Sequence, residues 1–80
     1  MIFLIEYDRP KGSIVRIERF DDSDGLRAQK MRLHIELDLN HNSINHEVVL
    51  LDAASEKALR RTHRRYFEDA GRIGRSINIH

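Results

Sequence analysis

The chain has 80 residues, 40% of them hydrophobic and 34% charged, and its 14 basic and 13 acidic side chains leave a net charge of +1. That length suffices for one domain and not for two, and it buries only about 60 to 65% of the unfolded surface, which makes self-association a natural way to gain stability. The composition argues against wholesale disorder, the charge is too balanced to point by itself to an obligate nucleic-acid or membrane-surface protein, and the lack of cysteine excludes a disulfide framework, a thiolate zinc site and a cysteine nucleophile.

The apolar run Ile2, Phe3, Leu4, Ile5 has no basic flank and meets Glu6 and Asp8 at once, so neither a signal peptide nor a membrane span is expected, and the cytoplasm is the expected location. Residues 2–7 instead read as a strand, apolar on both faces like a central strand. Residues 13–20 form a second strand in which Arg16, Glu18 and Arg19 mark a half-exposed edge. Between them, Pro10 and Gly12 supply turn chemistry, and the pair is read as a β-hairpin.

The acidic loop Asp21, Asp22, Ser23, Asp24, Gly25 offers side chains that can accept hydrogen bonds from the free amides of a starting helix. The next segment is ambiguous. Met31, Leu33, Ile35, Leu37 and Leu39 alternate with polar residues, as in a half-buried strand, yet Ala28, Gln29, Lys30, Arg32 and Glu36 are good helix formers. A helix over 26–39 is expected, with Leu26, Leu33 and Leu37 on one side and Ala28, Met31, Ile35 and Leu39 on nearly the opposite side. The latter stripe demands a cover, either the second helix or the tail within one chain or a second subunit, and it is the candidate dimer interface.

Residues 44–51 read as a third strand, well buried on account of the continuous run Val48 to Leu51. Ser55 is a plausible N-cap for a second helix that runs to about Asp69, with Leu59, Thr62, His63, Tyr66, Phe67 and Ala70 inward, and stops at Gly71. The expected architecture is a small α+β domain over residues 1–70, order ββαβα: a three-stranded sheet, first strand central, with two helices on one face, and then a flexible C-terminal tail, residues 71–80. The alternative is ββββα, with residues 31–39 as a strand.

Three constellations carry chemical interest. Arg60, Arg61, Arg64 and Arg65, with Tyr66 at the edge, form a face able to contact successive phosphates or an acidic partner. Pairs such as Glu56 with Arg60, Arg64 with Glu68 and Arg65 with Asp69 would equally make it a solvated, ion-paired face. His34, His41, His46 and His63 lack any metal-ligand spacing, and Ser55, His63 and Asp52 lack the glycine-rich elbow and oxyanion hole of a nucleophilic site. No metal, cofactor or catalytic residue is expected. The expected function is that of a non-enzymatic macromolecular interaction module, a cytoplasmic homodimer with an unidentified protein partner and no membrane contact. The alternative is a small nucleic-acid-binding domain that uses the arginine face.

Overall fold

The computed structural model describes residues 1–68, and two strands joined by a tight connection open it. β1 (Ile2–Asp8) and β2 (Ser13–Phe20) form the expected antiparallel hairpin. Gly12 closes it: φ of 67° places its backbone where side chains other than glycine's are strained, and its amide reaches the Asp8 carbonyl at 2.7 Å. A β-bulge interrupts the register between Glu6 and Tyr7, which pair with Arg16 and Ile14 and leave Val15 as the extra residue on β2.

A 3₁₀ turn, Asp22–Asp24, leads into α1 (Gly25–His41), so the segment that alternates in sequence is helical and the four-stranded alternative is not adopted. No side chain of the acidic loop caps either element; the turn closes through its backbone, Asp24 amide to Asp21 carbonyl at 2.9 Å. The far end of α1 closes with the amides of Ser43 and Ile44 on the carbonyls of Asn40 (3.2 Å) and Leu39 (2.9 Å). This is the paired closure of a Schellman motif, with Ser43 at φ 56° where glycine is the usual occupant.

β3 (His46–Asp52) pairs antiparallel with β1 and completes the sheet order β2-β1-β3. β1 is central, as its two apolar faces require, and the α+β fold with three strands and helices is as expected. β3, however, lies at the sheet edge, and Val49, Leu50 and Leu51 are only half-buried. Its apolar run therefore reflects cover above and below the sheet, not strands on both sides.

The helices do not share a face. α1 packs Ala28, Ile35 and Leu39 on Leu4, Phe20 and Val48, with Met31 against the cluster, whereas α2 (Glu56–Thr62) places Leu59 on Phe3 and Ile5 on the opposite side. The reason is the alternation along β1: Leu4 points one way, Phe3 and Ile5 the other, and all three are buried. One layer cannot cover both.

The C-terminal helix is also shorter than the pattern suggests. Ser55 caps it as expected, accepting from the Ala58 amide at 3.1 Å, but α2 ends at Thr62, whose hydroxyl donates back to the carbonyls of Ala58 (3.0 Å) and Leu59 (3.4 Å). Such back-bonding competes with the helix ladder. His63 (φ −123°, ψ 52°) breaks it, and a single turn, α3 (Arg64–Phe67), continues at a new angle. Of the six residues expected to face inward, Leu59 and Tyr66 are buried, His63 and Phe67 half-buried and Thr62 exposed. Ala70, the helix stop at Gly71 and the tail 71–80 lie outside the described residues.

Two substitutions test this packing by urea unfolding. Leu59→Ala removes the only fully buried side chain that α2 sets on the sheet and should cost about 2 to 5 kcal/mol. Ser43→Gly relieves the left-handed residue at the end of α1 and should stabilise by about 0.5 to 1 kcal/mol.

Candidate interaction surface

The stripe expected to meet a second subunit is buried within the chain. Ala28 is fully buried and Ile35 and Leu39 nearly so, because all three pack on the sheet. The dimer interface assigned to Ala28, Met31, Ile35 and Leu39 is thereby corrected. Helical spacing alone does not say which stripe turns inward. Each stripe carries one basic residue at the same place, Arg32 between Ala28 and Ile35 and Lys30 between Leu26 and Leu33, so charge does not distinguish them. A small residue such as Ala28 also allows the helix backbone to approach the strands closely.

Leu26, Leu33 and Leu37 are consequently turned outward, 68%, 56% and 60% exposed. Charge is sorted along the helix around them. Arg27, Lys30 and Arg32 lie in its first half, and Glu36 and Asp38 in its second. Arg27 pairs with Asp24 at 3.3 Å and sits 5.0 Å over the Phe20 ring, and Arg32 lies 3.8 Å from Glu36, whereas Lys30 has no ionic partner among the described residues.

The arginine cluster is largely engaged inside the chain. Arg60 pairs with Glu56 at 2.8 Å and covers the Phe67 ring at 4.5 Å, and Arg64 approaches Glu68 at 4.0 Å. Arg65 does not depend on Asp69, which lies outside the described residues. It reaches Glu47 on β3 at 3.4 Å, lies 4.6 Å over the Tyr66 ring and donates to the Tyr66 hydroxyl at 3.0 Å. That hydroxyl donates in turn to Glu47 at 2.7 Å, Arg9 adds a contact to the same carboxylate at 3.4 Å, and the Tyr7 ring meets Tyr66 edge-on at 5.2 Å. Arg61 remains exposed. The network fastens α3 to the sheet, a role for Tyr66 that helical periodicity alone does not reveal.

These contacts set the ionisation of the cluster. The Tyr66 hydrogen bond, aided by Arg65 and Arg9 and opposed by burial, holds the Glu47 carboxyl below its ordinary range. Burial is the main cause that raises the Tyr66 hydroxyl.

On the other face, Glu6 is buried and its Oε2 lies 2.6 Å from His46 Nδ1, while His46 Nε2 is 3.5 Å from Asp8 and Arg16 is 3.9 Å from Glu6. Each ring nitrogen of His46 thus faces a carboxylate of β1, and the side chain ties β3 to the central strand. An open groove of about 470 Å³ beside it is also lined by His34, Asp38, Val15 and Ile44. Of the four histidines singled out in the sequence, His34 thus shares this groove with His46 and a second, more open hollow on α1 with His41, while His63 lies at the break between α2 and α3. No group of three or more metal-ligating side chains occurs among the described residues. Ser55 is occupied by its cap and Asp52 lies beside the Met1 amine at 3.3 Å, with no hydrogen bond from either to His63 among the described residues. No described helix is long and apolar enough to cross a membrane.

Comparison with protein-family models, with curated proteins and with solved structures gives no match to this chain.

Glu47 makes the α3 anchor pH-dependent. A folded-state carboxyl held below its unfolded value contributes stability above the ordinary value of 4.5, and that contribution is lost as pH falls through the folded value. Tyr66→Phe should therefore cost about 1 to 2 kcal/mol at pH 7, and the cost should shrink below pH 4, as urea titrations at the two pH values will show.

Proposed function

We propose that the protein is a non-enzymatic macromolecular interaction module that works as a homodimer through the outward face of α1. A single observation carries this: three leucines on one stripe, each more than half exposed, directly opposite the stripe that holds the helix on its sheet. Isolated exposed leucines are ordinary, but a contiguous row on one helix marks a surface that meets another apolar surface. A second copy is the partner always present at the same concentration, and a two-fold contact makes the patch its own complement. The lack of cysteine fits a reducing compartment, and we place the protein in the cytoplasm.

Nucleic-acid binding through the arginine face has less support, since Arg60, Arg64 and Arg65 each already have a carboxylate partner. Retaining those pairs removes most of the counterion release that drives phosphate contact. An enzyme has less support still, because Glu6 and His46 in the groove hold each other at 2.6 Å and no other constellation of acid, base and nucleophile converges there among the described residues.

Sedimentation equilibrium tests the proposal. A single helix pair is small beside a standard interface of roughly 1,600 Å², so a weak dimer, in the micromolar range, is expected. Leu37→Glu should leave the fold intact, as that side chain is exposed, and should yield a monomer. A wild-type monomer at several hundred micromolar would overturn the proposal.

A further inference from the structure

Resting on the homodimer proposed above, we infer that the two α1 helices pair antiparallel about a two-fold axis at Leu33, with Lys30 of each copy set against Glu36 of the other. Leu26, Lys30, Leu33, Leu37 and Asn40 succeed one another at alternating steps of four and three, the spacing of a helix-pairing seam. A parallel pair would press Lys30 on Lys30 inside that seam and align the basic half of each helix with the basic half of its partner. An antiparallel pair reverses this. The half with Arg27, Lys30 and Arg32 then lies along the half with Glu36 and Asp38, and the helix dipoles oppose each other favourably.

The register is set by the position of the one charged seam residue. Lys30 and Glu36 stand at equal distances on either side of Leu33, so an axis through Leu33 creates the Lys30–Glu36 contact twice. The same axis lays the aliphatic stem of Lys30 beside the partner's Leu37 and brings Leu26 near the partner's Asn40. Both charges are free to serve. Lys30 has no ionic partner among the described residues, and Glu36 is held only by Arg32 at 3.8 Å, beyond hydrogen-bond distance, with the Arg32 Nε itself lacking a hydrogen bond.

The absence of cysteine makes the test direct, since one introduced thiol is unique. Leu33→Cys should oxidise to a covalent dimer, because an axial residue meets its own copy at disulfide distance. Leu26→Cys should not, because seven residues from the axis the two thiols are about 21 Å apart along the helices. Lys30→Glu should weaken the dimer about tenfold, and adding Glu36→Lys should restore it to within about threefold. A dimer that persists while Leu33→Cys fails to link, or in which the double charge reversal gives no rescue, overturns this register but not self-association. A monomer in every case overturns both.

Discussion

β1 is the constraint on which the molecule depends. It is the central strand of three and its side chains are apolar on both faces, with Leu4 on one side and Phe3 and Ile5 on the other. Burying both faces of an antiparallel sheet requires a layer above and a layer below, because a strand alternates its side chains at every residue. The chain meets this with α1 on one side and Leu59 of α2 on the other. The rest of the architecture stems from that division, including the separation of the leucine face of α1 from the arginine-bearing helices by the thickness of the sheet.

The polar groups obey the same alternation. His46 and Glu47 are neighbours on β3 but face opposite ways, and each gathers an ionic cluster at the hairpin end of the sheet. His46 joins Glu6 and Asp8 on the side of α1, and Glu47 joins Tyr66, Arg65 and Arg9 on the side of α3. Burying Glu6 without a partner would cost several kcal/mol. His46 supplies that partner across the strands, which explains a carboxylate at an otherwise apolar helix–sheet contact.

What the two ionic clusters leave is the outer face of α1. Its leucines are more than half exposed, and the charges along the helix are sorted by sign, basic first and acidic second. Within the described residues the sheet is the neighbour of only one of the two apolar stripes of α1.

Local chemistry alone determined the hairpin, the central place of β1, the edge character of β2 and the Ser55 cap, since turn residues, alternation and capping act over a few neighbouring positions. It also indicated that α1 is helical with two apolar stripes, because helix formers outweighed a period-two pattern made mostly of leucine. Which stripe turns inward, which face of the sheet each helix covers, and the break at His63 were decided by tertiary packing. Amphipathic periodicity identifies faces without saying what each one meets. Only the assembled sheet, with Leu4 on one side and Phe3 and Ile5 on the other, assigned Ile35 and Leu39 to the core and left Leu33 and Leu37 outside. The partners of Glu6 and Glu47 were invisible for the same reason, since His46 and Tyr66 lie 40 and 19 residues from them in the chain and no local rule connects positions so far apart.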